Sequence, residues 1–252
     1  ENSTVTYSVG GLILSNSGAI TANYWLSEIY DNEIAEAHRS AAIHLHDLSM
    51  LTGYCAGWSL KQLIQEGLGG VVGKITSSPA GHLSTLCNQM VNFLGIMQNE
   101  WAGAQAFSSF DTYLAPFVKV DNLSQKEVKQ CIQSFVYGVN TPSRWGTQAP
   151  FSNITLDWVC PPDLKDLPAI VGGKEMDFTY GDCKKEMDMV NKAFIEIMIE
   201  GDANGRGFQY PIPTYSITRD FDWSDTENNR LLFAMTAKYG TPYFSNYINS
   251  DM

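Results

Sequence analysis

Apolar positions along this chain recur with two different periods, and their alternation predicts helices interleaved with short strands. Leu83, Leu86, Met90, Phe93, Leu94 and Met97 lie three and four residues apart and predict a long helix, amphipathic or largely buried. Leu60, Leu63 and Ile64 predict a shorter helix stopped at Gly67. Ser124 and Glu127 have the spacing of a capping box ahead of Val128, Cys131, Ile132 and Phe135, and Ser224 with Glu227 repeats that spacing before a helix ending at Gly240. Asp182 opens a helix through Met187, Val190, Phe194, Ile197 and Met198, closed by Gly201. Residues 22–30 and 33–39 read as two helical segments, the second capped by Asp31 or Asn32. Strands are expected at 42–48, 151–158, 208–218 and 243–248. Pro211 and Pro213 cannot donate to a ladder, which confines the third of these to an edge, a bulge or a ligand-facing segment. Residues 1–20 begin with a Ser-, Asn- and Gly-rich stretch and predict a surface arm; no repeat or linker divides residues 21–252, which read as one domain. Alternating strands and helices favour an α/β architecture with parallel strands, and the pattern alone leaves an open sheet and a barrel equally available.

Composition narrows the function classes. A chain of 252 residues, 44% hydrophobic and 17% charged, is long and apolar enough to bury a sizeable core. A net charge of −11 argues against a nucleic-acid surface, which needs phosphate-neutralising Lys and Arg. It leaves single nucleotides open, because backbone amides at a helix start and one or two cations can hold a triphosphate. The five cysteines are widely spread with no Cys-x-x-Cys pair, so no metal-ligand pattern is predicted and the odd count fits reduced thiols. The chain has no apolar run of the roughly 20 residues a membrane span needs, and no signal pattern at Glu1. A reducing, cytoplasmic setting and no membrane partner are the expectation.

Candidate chemistry gathers in four places. Cys55 lies among small residues in Gly53-Tyr54-Cys55-Ala56-Gly57-Trp58; by residue type it is either a packed apolar group or an approachable thiol. His44 and His46 alternate on the predicted strand before it and would point the same way, either as satisfied buried imidazoles or as groups facing a ligand. Gln148, Ser152 and Asn153 end a loop and begin a strand, where amides and hydroxyls serve turn capping or ribose and phosphate recognition; Gln209 is a weaker candidate of the same kind. Ser77 and His82 stand at the start of the long helix, which is a cap in any helix and also a ready anion site.

These motifs, together with Gln98-Asn99-Glu100-Trp101-Ala102-Gly103-Ala104-Gln105-Ala106-Phe107, Pro142-Ser143-Arg144-Trp145-Gly146-Thr147-Gln148 and Phe208-Gln209-Tyr210-Pro211, resemble the anaerobic (class III) ribonucleoside-triphosphate reductase family, in order and nearly gap-free from about Thr21 to Met252. The resemblance implies the first half of a ten-stranded α/β barrel of the ribonucleotide reductase and glycyl-radical enzyme type. It implies that Cys55 takes part in reducing the ribose 2′ carbon, that His44, His46, Gln148, Ser152 and Asn153 bind substrate, and that Ser77, His82, Gln89 and Lys119 hold an effector nucleotide. Relatives usually carry Gly-Asp where this chain has Ala41-Ala42, which weakens a carry-over to position 42 and not to the histidines; they often carry Glu and Lys where it has Thr76 and Gly81, so effector selectivity is expected to differ or be lost.

Further implications concern the whole enzyme. They are ribonucleoside triphosphate substrates, dNTP or ATP effectors, a homodimer through the long helix, and formate as reductant, with a redoxin in its place in some members. The family also implies a glycyl radical installed by a radical-SAM activase with a 4Fe–4S cluster, and a structural zinc. Radical loop, glycyl site and zinc domain are absent from these residues, so the chain is expected to be an inactive fragment needing a complementing C-terminal half. A non-catalytic nucleotide-binding or dimerising subunit is the alternative, and Cys55 with the His-x-His-Asp motif counts against it. Another glycyl-radical enzyme fits the 98–111 segment poorly.

Overall fold

The computed structural model describes residues 8–69, 72–73, 75–142 and 149–249. Helix α1 (Val9–Tyr24) runs into a π-helical turn (Trp25–Ile29) and then α2 (Asn32–Arg39). Strand β1 (Ala56–Trp58) follows, then α3 (Leu60–Glu66), α4 (Leu83–Met97), β2 (Gln105–Phe107), α5 (Phe110–Val120), α6 (Gln125–Val139) and β3 (Ser152–Leu156). Short helix α7 (Pro162–Lys165), a hairpin of β4 (Pro168–Val171) and β5 (Lys174–Thr179), α8 (Lys184–Glu200), β6 (Ile212–Ile217), α9 (Glu227–Tyr239) and β7 (Tyr243–Asn246) complete it.

Strands β1, β2, β3, β6 and β7 form one sheet in that order, every neighbouring pair parallel. Each parallel step is bridged by helix, as a parallel pair requires. This is the α/β, parallel arrangement expected for half of a barrel. The register assigns the two faces. Trp58, Phe107, Ile154, Leu156, Tyr215 and Ile217 point one way and are buried or nearly so under the helices. Gly57, Ala106, Asn153, Thr155, Ile212, Thr214 and Ser216 point the other way and stay partly or fully exposed. The helices α4, α6, α8 and α9 pack in succession, with α5 between α8 and β3. Phe110 of α5 joins them, its ring 5.2 Å from Phe135 of α6 and 6.5 Å from Phe194 of α8, all three fully buried. Burying each such ring stabilises the fold by about 1.5–3 kcal/mol.

One polar network lies inside this core. Asp111, in the first turn of α5, is fully buried; its Oδ1 accepts from the Asp157 amide at 2.8 Å and its Oδ2 from the Trp158 amide at 2.9 Å and Asn191 Nδ2 at 2.9 Å. Tyr215 donates to Asn191 Oδ1 at 2.9 Å, and Thr112 donates to Asp157 Oδ2 at 2.5 Å. The carboxylate thereby holds Trp158 at φ 65°, a left-handed conformation that costs a bulky residue on the order of 1–3 kcal/mol.

Most predicted elements lie where the pattern placed them, including the capping box of Ser124 and Glu127. Four differ. Residues 42–48 are not a strand: Ala41 (φ 61°) and Asp47 (φ 53°) are left-handed, and the Leu45 amide donates to His38 Nδ1 instead of a neighbouring strand. The second capping box is displaced, since Thr226, not Ser224, caps α9 by accepting from the Asn229 amide. β6 is interior rather than at an edge; Pro213 pairs with Ile154 of β3, and the ladder to β7 starts one residue later at Thr214, so the missing N–H leaves no gap there. The stretch expected as an arm is helical from Val9.

Candidate functional site

Two irregular segments, 53–55 and 101–104, run side by side into β1 and β2 at the N-terminal end of the sheet. The Ala102 amide donates to Gly53 O (3.0 Å), the Gly103 amide to Tyr54 O, and the Ala56 amide to Ala104 O (2.9 Å). The fourth link is made by a side chain, because the Ala104 amide donates to Cys55 Sγ at 3.2 Å. This close approach depends on glycine at two points. A Cβ on Gly53 would stand 2.3 Å from the Trp101 ring, and one on Gly103 would stand 2.7 Å from Cys55 Sγ and 2.7 Å from Tyr54 O.

Cys55 is the exposed one of the five free cysteines. One residue before Ala56, it falls in line with Gly57 on the more exposed face of the sheet. The others sit in environments that disfavour a thiolate. Burial pushes Cys183 up to about 12, and burial with the nearby Asp157 does the same for Cys160. Burial raises Cys87 further, and Cys131 is raised chiefly by burial as well. A thiol must be approachable to react, so Cys55 is the candidate and the rest are packing.

The other sequence-derived candidates divide by place. His44 and His46 are exposed on the loop before β1, their rings 4.7 Å apart edge to face, with His38 of α2 5.6 Å from His44. The two do point to a common side, though on a loop rather than a strand. Asn153 lies on the open face, in register with Ala106 and Ile212. Ser152 is one residue earlier and fully buried on the helix side. Beside it Gln105 accepts from Trp58 Nε1 at 2.5 Å, leaving Gln105 Nε2 and Ser152 Oγ without partners among the described residues. Gln148 lies outside the described residues.

Gln209 is exposed just before the cis Tyr210–Pro211 bond. Its amide and that of Tyr210 donate to Asn140 Oδ1, while Asn140 Nδ2 donates to Tyr210 O at 2.6 Å. Sequence reasoning missed Asn140, a helix-ending Asn whose partners are 70 residues away.

At the start of α4, Ser77 is exposed and His82 is the N-cap residue, its Nδ1 2.8 Å from Asp121 Oδ2. Gln89 is buried and donates to Ser77 Oγ (2.9 Å) and Ser78 O (2.8 Å), so it braces the turn from beneath. Lys119 faces α8, with Nζ 3.8 Å from Glu186 and 5.5 Å from the centre of the Phe178 ring. Gln89 therefore meets Ser77, while His82 meets Asp121, two residues after Lys119, whose own amine is turned toward α8. No group of three or more His, Cys, Asp or Glu among the described residues is arranged to hold a metal ion. No described helix is long and apolar enough to cross a membrane.

Comparison with known proteins gives a consistent picture. Residues 1–252 match the family described as NRDD, anaerobic ribonucleoside-triphosphate reductase. No curated protein matches. Among solved structures, the anaerobic ribonucleotide reductase from Thermotoga maritima in complex with dATP and CTP matches with a TM-score of 0.71 at 22% identity, over 97% of this chain and 43% of that one. The same enzyme with citrate in the active site matches with a TM-score of 0.71 at 22% identity, over 97% of this chain and 47% of that one. A structure described as an anaerobic ribonucleotide reductase matches with a TM-score of 0.71 at 23% identity, covering 97% of this chain and 40% of its own. The chain thus spans less than half the length of the solved chains it resembles, and at these identities the likeness speaks for the fold.

Proposed function

Because the chain belongs to the anaerobic ribonucleoside-triphosphate reductase family, we propose that it forms the part of the catalytic barrel that presents the reducing thiol to the substrate ribose. One observation carries the reading: Cys55 is the exposed cysteine, at the N-terminal end of a parallel sheet, on the face whose described residues stay partly or fully exposed. In this reading a ribonucleoside triphosphate lies on that face; once a thiyl radical outside these residues has taken the 3′ hydrogen, the 2′-hydroxyl takes up a proton and leaves as water, and the Cys55 S–H gives its hydrogen to the substrate radical at C2′. Asn153, His44 and His46 are exposed enough to offer hydrogen bonds to ribose hydroxyls or phosphate oxygens, with Gln148 in the same proposed set; Ser152 is buried on the helix side and supports Asn153 from behind instead of touching the ribose. The two electrons come from formate, which leaves as carbon dioxide. A glycyl radical held outside these residues, installed by a radical-SAM activase with a 4Fe–4S cluster, supplies the radical equivalent that starts the reaction.

The remaining proposals concern assembly. A further part of the barrel covers the exposed face of the sheet, and a domain outside these residues carries the structural zinc. A dNTP or ATP effector binds near Ser77 and His82, with Gln89 bracing the turn and Lys119 contributing charge. The homodimer forms through α4, in the cytoplasm. The Thermotoga maritima structure with dATP and CTP supports nucleotides as substrate and effector.

The test is replacement of Cys55 by serine in the complemented, activated enzyme without oxygen. The exchange alters one atom and little volume, so folding and nucleotide binding persist, whereas an O–H bond is too strong to give hydrogen to the substrate radical and deoxynucleotide formation is lost. Turnover of Cys55→Ser near the wild-type rate refutes the reading.

A further inference from the structure

Gly103 has no left-handed φ to explain it. Its explanation is spatial: it is buried, it lies against Tyr54, and the atom its missing Cβ would strike at 2.7 Å is the sulfur of Cys55. The residue after it, Ala104, then directs its amide at that sulfur from 3.2 Å. On the neighbouring rung, Gly53 makes room for the Trp101 ring. The backbone hydrogen bonds from Ala102 to Gly53 and from Gly103 to Tyr54 hold the two segments together, and the reciprocal pairs, glycine against tryptophan and glycine against cysteine, let them approach this closely.

Resting on the assignment of Cys55 as hydrogen donor, we propose that Gly103 is a positioning residue for the reaction: its bare Cα lets the Ala104 amide reach Cys55 Sγ and fixes the thiol over the open face. With the sulfur as acceptor, one lone-pair direction is committed to the amide, and the S–H bond is left to point away from it, into the space above the sheet. A methyl group at position 103 separates the segments, breaks the amide–sulfur bond and lets the thiol swing. Misplacing a reacting atom by about 1 Å costs up to roughly a hundredfold in rate, with little effect on binding made elsewhere in the substrate.

Two measurements on Gly103→Ala test this, with Cys55→Ala and Cys55→Ser as companions. In the isolated chain, amide hydrogen exchange of Ala104 accelerates by about tenfold or more in Gly103→Ala and in Cys55→Ala, while the Ala56 amide, bonded to Ala104 O, stays within about threefold of wild type in Cys55→Ala. Ala104 exchange unchanged in Cys55→Ala overturns the proposal, and this variant decides alone if Gly103→Ala does not fold. In the complemented, activated enzyme, Gly103→Ala lowers kcat by roughly tenfold to a hundredfold with KM for the ribonucleotide within about twofold. A wild-type kcat in folded Gly103→Ala, with turnover abolished in Cys55→Ser, overturns the positioning role and leaves Cys55 as donor. Turnover that survives Cys55→Ser overturns both.

Discussion

Replacing Asp157 with asparagine should raise stability near neutral pH and flatten its pH dependence. Asp157 follows β3, is 8% exposed, and faces the fully buried Asp111. Burial first, and then the charge of Asp111 with a smaller contribution from Asp163, pushes its carboxyl up to about 7 from an ordinary value of 3.8. Asp111 is also raised by burial, but hydrogen bonds from Asn191 and from the Asp157, Trp158 and Thr112 backbone oppose that, so the proton of the pair rests on Asp157. Between about pH 4 and pH 7 the folded chain then keeps a proton that the unfolded chain has released. The folded state binds more protons, so stability falls as pH rises through this window; below it both states are protonated, and above it both are ionised. Holding this carboxyl at about 7 instead of 3.8 sets a ceiling on the order of 4 kcal/mol above pH 7. Asparagine keeps the shape, accepts the Thr112 hydroxyl through its carbonyl oxygen, and has no charge to bury. Urea unfolding followed by tryptophan fluorescence, at several values from about pH 5 to about pH 8, measures the difference. The expected result is a gain of about 1–4 kcal/mol for Asp157→Asn near pH 8 that shrinks toward pH 5. A variant less stable than wild type near pH 8, or a wild-type curve with no decline across the window, refutes the assignment of the proton.

Two other predictions follow from local structure. Ser124→Ala removes the hydroxyl that caps α6, which packs on α4 and α8; the expected loss is about 1 kcal/mol, or roughly 2–4 °C in thermal unfolding, and the Glu127 carboxyl, held below its usual range chiefly by Ser124, should titrate closer to normal in NMR. A dNTP or ATP at 100 times its Kd should stabilise the chain by about 2.7 kcal/mol in a thermal-shift assay if the approach to α4 that carries Ser77 and His82 takes an effector, and no shift with any of these nucleotides refutes the effector site.

What was legible in the sequence was what short-range chemistry encodes. The long helix, the Ser124 cap and the helix stops at Gly67, Gly201 and Gly240 are written in three- and four-residue spacings, and all are present. Helix α5 was not anticipated, because it is buried from Phe110 to Val118 on every side and so has no polar stripe, and because Pro116 stands inside it. β2 is three residues long and cannot show an alternation. The His-x-His-Asp segment has strand-like alternation, but two left-handed residues and a histidine side chain redirect it, a tertiary effect invisible to pattern. Cys55 was legible as a residue; its setting was not, since the Ala104 amide that meets its sulfur comes from 49 positions away. Asn140 and the carboxyl pair of Asp111 and Asp157 were likewise hidden by long separations.

The sheet's outer margins have a consequence for anyone handling the isolated chain. β1 pairs only with β2 and β7 only with β6 among the described residues, so each presents a row of backbone donors and acceptors outward. β1 is three residues long and offers a stranger little to grip. β7 is longer and carries Tyr243 at 61% and Phe244 at 43% exposure, the combination of free ladder and greasy side chains from which edge-to-edge aggregates grow. The molecule therefore has a sticky seam on one side and a blunt one on the other, and crowding during expression will find the β7 seam first.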